Sequence, residues 1–409
     1  MTGTTPTDTI IQGDALARLK ELSSESVDCC ITSPPYFGLR DYGVEGQIGL
    51  EESPEAYVSK LAEVFREVRR VLKKEGTCWI NLGDSYAGSW GNYHPNSPPG
   101  KHGQRLKETA RWNRPAYEDQ TFRPPTSNKL ENGIKPKDLI GIPWMVAFAL
   151  RADGWYLRQD IIWEKGNPMP ESVRDRCCKS HEYLFLFAKS QRYYFDSEAI
   201  KESSVSDHPS GNGFKRPARV SYQNPDGTAR GNEEQWRGVG GKRNKRSVWQ
   251  VNTVPYREAH FATFPEKLIE PCILAGTSEK GYCPKCGKAW ERQTEKKGAT
   301  TIAERGYDTH QLAEGKGMLN TSRSWKGGDV PVATYKTIGW LPSCQCGDLK
   351  PVPGIILDPF FGAGTTGLVA KKLGRRFIGI ELNEAYIGMA QKRVAAVPAR
   401  LDRWAEAGI

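Results

Sequence analysis

The chain lacks any long hydrophobic run. No stretch of its 409 residues approaches the length of a membrane span, and the first ten residues, MTGTTPTDTI, lack the basic and then apolar pattern of a secretion signal. Only 38% of the residues are hydrophobic, and the mean hydropathy is -0.61. We therefore expect a soluble cytoplasmic protein that is neither secreted nor anchored to a membrane.

Cysteine is present, but not in the pattern of a disulfide framework. The chain has ten cysteines, and disulfides are rare in cytosolic proteins. The adjacent pairs Cys29-Cys30 and Cys177-Cys178 lie in apolar or helical contexts, which predicts small core residues.

Four other cysteines form two close pairs, C-P-K-C-G and C-Q-C-G, with 57 residues between them. Four thiolates satisfy tetrahedral zinc. The sequence therefore predicts a structural Zn²⁺ held by Cys283, Cys286, Cys344 and Cys346. The alternative is a reduced surface hairpin with two incidental pairs.

An acidic balance is lacking as well, because the formal net charge is +10. Two irregular segments concentrate the positive charge. Residues 85–135 carry eight Lys/Arg against four Asp/Glu, and residues 200–247 carry ten against five. A solvated surface loop is the plain interpretation of each segment. Their length and the aromatic residues interleaved with Arg favour contact with nucleic acid.

Strand and helix patterns alternate through the rest of the chain. Ile10-Ile11 and VDCCITS predict strands around a short helix, residues 54–74 space apolar residues at helical intervals, and TCWINLGDS returns as a strand after Gly76. A further helix and two strands follow over residues 142–190. This alternation predicts an α/β fold with a doubly wound, mostly parallel sheet.

A glycine-rich turn near the carboxyl terminus predicts a nucleotide-like ligand. The strand GIILD opens into PFFGAGTT and a helix, and the next strand ends in Glu381, 23 positions after Asp358. Such a turn lets the backbone approach a ligand, and an acid at this distance suits ribose hydroxyls. A structural turn, a dinucleotide site and an S-adenosylmethionine site compete. The Asp-Pro-Phe-Phe-Gly-x-Gly-Thr-Thr pattern favours the third.

The strand VDCCIT ends in a rigid elbow, Ser33-Pro34-Pro35-Tyr36. Two consecutive prolines remove two backbone donors and fix φ, so the strand has to stop there. With both stretches in view, the sequence resembles the β-class DNA amino-methyltransferases, in particular phage and prophage solitary methylases. In that class the target-base motif precedes the cofactor motif. Further matching blocks are QGDA at Asp14, Trp163 to Pro170, His181 to Tyr183, Ser247 to Trp249, His260 to Pro265 and residues 354–395.

The resemblance implies a Rossmann-like methyltransferase sheet with basic insertions and a small zinc-ribbon-like insertion. It implies that S-adenosyl-L-methionine is the cofactor. The residues expected to bind it are Asp14, Phe261, Thr263, Phe264, Asp358, Pro359, Phe360, Gly362, Gly364, Thr365, Thr366 and Glu381. The expected catalytic residues are Ser33, Pro34, Pro35 and Tyr36.

These catalytic roles follow from the chemistry of an exocyclic amine, which is a poor nucleophile and is buried in duplex DNA until the base is extruded. The Ser33 side chain and the Pro34 carbonyl can accept the two amine hydrogens, which directs the nitrogen lone pair towards the methyl group. Tyr36 can stack on the base, and Phe37 can form a wall of the same pocket. In the family that the sequence resembles, serine at the position of Ser33 is commoner in N4-cytosine enzymes. The extended form TSPPYFGLRDYG resembles enzymes that modify N6 of adenine. Adenine is narrowly preferred and cytosine is the alternative.

Double-stranded DNA is the expected partner and a homodimer the expected assembly. Arg40, Lys165, Arg216, Lys242, Arg243, Lys245 and Arg246 are expected to contact DNA. A solitary methylase and one half of a restriction–modification pair both remain open, in a bacterial or phage-encoded setting. A zinc-ribbon DNA-binding protein with an inactive methyltransferase domain is the alternative function. An NAD-dependent enzyme has no use for Ser-Pro-Pro-Tyr.

The predicted organisation follows these motifs along the chain. The catalytic half covers residues 1–84 and 136–199 and is interrupted by a basic loop at 85–135. It is followed by a target-recognition segment at 200–247 and a cofactor lid at 248–276. A zinc-ribbon-like cysteine insertion at 277–350 and the cofactor-binding half at 351–409 complete the chain.

Overall fold

Strands and helices alternate through most of the chain in the computed structural model, which describes residues 6–39, 43–87, 133–203, 242–254, 263–297 and 334–398. The strands are β1 (Thr9–Gln12), β2 (Val27–Thr32), β3 (Leu72–Leu82), β4 (Tyr156–Glu164), β5 (His181–Ala188), β6 (Glu202–Ser203), β7 (Lys242–Arg243), β8 (Val248–Gln250), β9 (Trp290–Lys297), β10 (Thr334–Pro342), β11 (Ile355–Asp358) and β12 (Arg376–Glu381). The helices are α1 (Ala15–Glu21), α2 (Pro54–Val71), α3 (Ile142–Ala152), α4 (Glu266–Gly276), α5 (Thr365–Lys372) and α6 (Glu384–Ala395).

Eight strands form one sheet in the order β1-β12-β11-β2-β3-β5-β4-β8. Every neighbouring pair is parallel except the two pairs that involve β5. Two antiparallel pairs, the long β9 with β10 and the two-residue β6 with β7, lie outside this sheet. The predicted α/β fold with a mostly parallel sheet is therefore confirmed.

Helices cover both faces of the sheet, as a doubly wound fold requires. One core contains the apolar stripe of α2, formed by Tyr57, Leu61, Phe65 and Val68, together with side chains of α1 and α3. The other core contains α4 and α5 and packs against Trp79. Because both faces are covered, all six residues of β2 are buried, including the polar Asp28 and Thr32 at either end of its apolar centre.

Helix α2 is shorter than its apolar spacing predicts. Ser53 caps its first turn by accepting the N–H of Ala56 at 3.1 Å, and Pro54 stands in the first turn, where a missing N–H costs nothing. The helix ends at Val71, because Leu72 already pairs with Val27 in the sheet. The predicted start of β3 after Gly76 was therefore wrong by several residues.

The expectation that Cys177 and Cys178 lie in the core was also wrong, since both are exposed, whereas Cys29 and Cys30 are buried as expected.

No helix in the described ranges is long and apolar enough to cross a membrane.

Helix α2 supports the proline elbow that follows β2. The Tyr57 hydroxyl donates to the Pro35 carbonyl at 2.8 Å. The Phe37 ring lies 5.6 Å from the Tyr57 ring and is almost fully buried. Phe37 is therefore a core residue that anchors the elbow, and it is not among the residues that line the main cavity.

We expect Tyr57→Phe to loosen this support without disturbing the packing of the ring. The substitution removes the donor to Pro35 and should lower the free energy of unfolding by about 1 kcal/mol, measured by urea denaturation. Tyr156→Phe, at an exposed position on β4, is the control and should change that free energy by less than about 0.5 kcal/mol. Equal stability of both variants and the wild type would contradict a supporting role.

Candidate active site

The ends of the parallel strands meet at one edge of the sheet, and a cavity of about 610 Å³ opens there. The antiparallel strand β5 contributes its first residues to the same edge. The cavity is lined by the proline elbow on one side and by the glycine loop on the other. The predicted residues that line it are Asp14, Ser33, Pro34, Pro35, Tyr36, Lys165, Thr263, Phe264, Pro359, Phe360, Gly362, Thr365 and Glu381.

Other predicted residues lie elsewhere. Asp358, Gly364 and Thr366 shape the glycine loop without lining the cavity. Phe261, Arg40 and Arg216 lie outside the described residues.

Tyr36 is fixed at both ends of its ring. The ring passes close to Gly83, where a Cβ atom would come within 2.5 Å of Tyr36 Cε2. Its hydroxyl donates to Glu182 Oε2 at 2.7 Å. Burial, and next the Glu182 carboxylate, raise the pKa of Tyr36 well above its usual value, so the hydroxyl stays protonated.

Glu182 and Asn81 complete a polar network beneath the elbow. Glu182 pairs with Lys165 Nζ at 2.5 Å and accepts from Asn81 Nδ2 at 3.1 Å. Asn81 Oδ1 accepts from the Ser33 hydroxyl at 3.3 Å. Lys165 also lines the cavity, and its expected contact with DNA stays a prediction.

Sequence reasoning missed Asn81. It is a buried polar residue near the end of the otherwise apolar strand β3. A polar side chain that interrupts a buried strand is the signal that could have identified it.

The glycine loop is held open by Glu381. One carboxylate oxygen accepts the N–H of Gly362 at 2.7 Å and the other accepts the N–H of Asn383 at 2.8 Å. Gly362 has φ +50°, and no atom lies within 4 Å of where its Cβ would be. Burial raises the pKa of Glu381. The loop thus presents bare backbone to the cavity, beside an acid whose remaining lone pairs can accept hydroxyl groups.

Asp358 ties the two motifs together from below. It accepts from Thr32 Oγ1 at 2.6 Å, from Thr366 Oγ1 at 2.7 Å and from the Phe360 N–H at 3.1 Å. Its side chain is buried, and desolvation raises its pKa to about 6. Asp358 therefore fixes the end of β2 against the start of the glycine loop.

Asp14 stands at the start of α1, where its carboxylate accepts the N–H of Ala17 at 2.9 Å. The same residue lines the cavity. Its position is compatible with the expected contact to the cofactor, because the cap uses only one of its two carboxylate oxygens.

Some of the side chains predicted to contact DNA, on β7 and after it, have partners within the protein. Arg243 and Arg246 each donate to Glu202 at 2.8 Å. The Lys245 ammonium lies 4.9 Å from the centre of the Trp249 ring, and Lys242 is exposed. Their contact with DNA stays a prediction.

The four predicted zinc ligands come together in space. The sulfur atoms of Cys283, Cys286, Cys344 and Cys346 all lie within 4.8 Å of one another. Gly287 and Gly347, which follow the two pairs, have φ +71° and +94° and let the backbone turn around the cluster. The N–H of Cys286 points at Cys283 and is the main cause that lowers the pKa of that thiol to about 7.

The cysteine cluster lies at the opposite edge of the sheet from the cavity. Tyr282, next to Cys283, pairs with Val352 just before β11 begins, and its ring lies 4.8 Å from Lys73 at the start of β3. Lys73 in turn binds Asp28 at 2.7 Å near the start of β2. The cluster is therefore separated from the cavity by the length of the strands.

An open sheet that carries a glycine loop and a Ser-Pro-Pro-Tyr elbow on the same edge is the architecture of a methyltransferase. The family model of the N6/N4 DNA methylases matches residues 27–283 and 349–392. The chain is 37% identical over 399 residues to type II methyltransferase M.Cfr9I of Citrobacter freundii, with 98% of this chain and 91% of the relative covered. It is 37% identical over 385 residues to type II methyltransferase M.SmaI of Serratia marcescens, with 94% and 90% covered.

The chain therefore belongs to the N6/N4 DNA methylase family. Among solved structures, PvuII DNA methyltransferase (cytosine-N4-specific) matches with a TM-score of 0.49 and 14% identity over 98% of this chain and 92% of its own. The predicted homodimer, the cytoplasmic location, the phage-type origin and the division into domains stay predictions.

Asp358 gives a pH-dependent contribution to stability with an unusual sign. Its folded pKa, about 6, lies above the ordinary value of 3.8, so the folded state binds the proton more tightly than the unfolded state. This contribution is fully present below pH 3.8 and is lost as the pH rises to about 6, by up to about 3 kcal/mol.

Urea unfolding of the wild type and of Asp358→Asn between pH 4 and pH 7 measures this contribution. The wild type should lose stability relative to the variant as the pH rises. A difference that grows in the opposite direction would show that the Thr32, Thr366 and Phe360 donors outweigh burial.

Proposed function

We propose that the chain transfers a methyl group from S-adenosylmethionine to the exocyclic amine of a base extruded from double-stranded DNA. The observation that carries this proposal is the single cavity that joins the elbow to the glycine loop. Methyl donor and amine have to meet in line at short distance, and one cleft lined by both motifs provides that meeting.

The residues of the glycine loop fit the cofactor. The bare backbone at Gly362 and the buried acid Glu381 suit the amino-acid and ribose parts of S-adenosylmethionine, and Asp14 lies at the same side of the cavity. When bound, the cofactor supplies an electrophilic methyl group on a sulfonium.

The elbow residues prepare the amine. Ser33 Oγ and the Pro34 carbonyl accept its two hydrogens, which withdraws the nitrogen lone pair from conjugation with the ring. The Pro35 carbonyl is already engaged by Tyr57, so the elbow is preorganised and needs no rearrangement at the moment of transfer. Tyr36, held by Gly83 and Glu182, offers its ring to the base.

Adenine N6 and cytosine N4 both carry such an amine. The extended motif TSPPYFGLRDYG favours adenine, which keeps its narrow preference, and Ser33 in the first motif position favours cytosine. We include extrusion of the base in the proposal, because an exocyclic amine inside a base pair of duplex DNA cannot otherwise reach the cavity.

Long-read sequencing that detects methylated bases, applied to DNA from bacteria that express the chain, tests the function. We expect one short recognition sequence to be modified at adenine N6 or at cytosine N4, and the same data identify the base. Unmodified DNA from cells that contain the folded protein would favour an inactive DNA-binding protein instead. Modification confined to cytosine N4 would overturn the preference for adenine.

Tyr36 variants test the stacking role. Tyr36→Ala removes the ring, and because a base–aromatic stack contributes about 1–3 kcal/mol, kcat/KM for DNA should fall about 5- to 150-fold. Tyr36→Phe keeps the ring, loses the hydroxyl contacts with Glu182, Asn81 and Ser33, and should retain most of the activity. Equal losses in both variants, measured by transfer of a radiolabelled methyl group, would assign the role to the hydroxyl.

We further infer that Cys283, Cys286, Cys344 and Cys346 hold one structural Zn²⁺. Zinc–sulfur bonds of about 2.3 Å in a tetrahedron place the sulfur atoms about 3.8 Å apart, which the observed limit of 4.8 Å admits. The helix α4 has 11 residues and runs about 16 Å from the cavity edge towards the cluster. The ion therefore stabilises the fold around Tyr282 and takes no part in methyl transfer.

Metal analysis of the purified chain should find one zinc per chain. Cys346→Ser should lose the zinc and lower the melting temperature, because the remaining thiolates no longer close the site. Cys177→Ser, at an exposed cysteine outside the cluster, should leave both unchanged. A wild-type chain that is fully stable without metal and has four reactive thiols in the cluster would exclude the zinc site.

A further inference from the structure

Ser33 has a property that its role as an acceptor does not explain by itself. A hydroxyl group can donate as well as accept, and its hydrogen rotates to the best partner. If that hydrogen pointed at the amine, Ser33 would compete for the nitrogen lone pair that has to attack the methyl group. Productive chemistry therefore needs something to hold the hydrogen on the side away from the base.

Asn81 lies in the position to do this. Its Oδ1 accepts from Ser33 Oγ at 3.3 Å, inside the cavity wall. The Asn81 side chain is buried, and it follows Ile80, which pairs with Thr32, the residue before Ser33. The Ser33 hydrogen thus has an acceptor beneath the elbow that is nearer than its other one, the Tyr36 hydroxyl oxygen at 3.5 Å.

The Asn81 amide cannot turn its nitrogen towards Ser33. Its Nδ2 donates to the Tyr183 carbonyl at 3.1 Å and to Glu182 Oε2 at 3.1 Å. A backbone carbonyl and a carboxylate can only accept, so both demand the nitrogen side of the amide. The oxygen side is left facing Ser33.

Tyr36 does not displace Ser33 from this acceptor. The Tyr36 hydroxyl lies 3.1 Å from Asn81 Oδ1 but only 2.7 Å from Glu182 Oε2. It has one hydrogen, and the charged acceptor at the shorter distance takes it. Lys165 holds the other oxygen of Glu182 at 2.5 Å and keeps that carboxylate in place.

We infer that Asn81 is a positioning residue, held by Tyr183 and Glu182, which orients the Ser33 hydroxyl so that its lone pairs face the exocyclic amine. This inference rests on the proposed amine methylation. It assigns Asn81 no contact with the transferred methyl group and no proton transfer.

A double-mutant cycle tests the inference. Asn81→Ala should lower kcat about 10- to 100-fold, the range found when an outer partner that orients an active group is removed. The KM values for cofactor and DNA should stay within about threefold. In a Ser33→Ala background the same substitution should change kcat by about twofold or less, because nothing remains to be oriented.

A role limited to packing gives a different result. The losses from Asn81→Ala and Ser33→Ala would then multiply in the double variant, which overturns the inference, as does an unchanged kcat in Asn81→Ala alone. Cofactor binding by calorimetry and the melting temperature show that each variant is folded. Asn81→Leu, which fills a similar volume without polar atoms, replaces the alanine variant if that one unfolds, with the same expected results.

A conservative change at Ser33 gives a second, independent readout. A carboxylate accepts in every rotamer, so in a Ser33→Asp background that retains activity, Asn81→Ala should leave kcat within about twofold. A loss as large as in the wild-type background overturns the inference. A wild-type chain that methylates no DNA in the same assay contradicts the proposed function itself, which separates the two failures.

Discussion

The buried carboxylate of Asp358 is the interaction on which the site depends. It binds Thr32 at the end of β2 and Thr366 at the start of α5, side chains that belong to the elbow and to the glycine loop. The two motifs are more than 300 residues apart in the chain. This carboxylate adds a side-chain connection to the backbone pairing of β2 with β11 below the cavity, and burial of the acid is the cost of that connection.

The parts of the site that could be predicted are those encoded in consecutive residues. The Ser-Pro-Pro-Tyr elbow and the Gly362 loop follow from local rules for proline, glycine and strand ends, and both lie on the cavity as expected. Asn81 and the true contacts of Asp358 could not be predicted, because their function is set by partners that only the sheet order brings together. Arg243 and Arg246 show the same limit, since their shared acceptor Glu202 is about 40 residues away in the sequence.

The cysteine cluster raises two questions: which residues form it, and how far it lies from the cavity. Four thiolates could be recognised from the two close pairs, whereas their distance from the cavity could not, because it depends on where the chain runs between the cofactor lid and the glycine loop. The helix α4 begins beside Phe264 at the cavity and ends near Ser278 and Tyr282 at the far edge. The described cysteines lie at this far edge, next to the pairing of Tyr282 with Val352, so the proposed metal would contribute to folding.

The network under the elbow shows what the first residue of the motif needs in order to act as an acceptor, which the motif alone does not show. A carboxylate in the first position of the motif accepts from the amine whatever its rotamer, whereas a hydroxyl accepts reliably only when its own hydrogen is held elsewhere. In the proposed arrangement Ser33 depends on Asn81, and Asn81 is oriented by the fixed acceptors Tyr183 and Glu182. The proposed acceptor is neutral, and it would hold the amine without placing a negative charge beside it. The identity of the residue at position 33 is thus linked to the ends of the next two strands on one side of β2, and any exchange of Ser33 has to be judged together with β3 and β5.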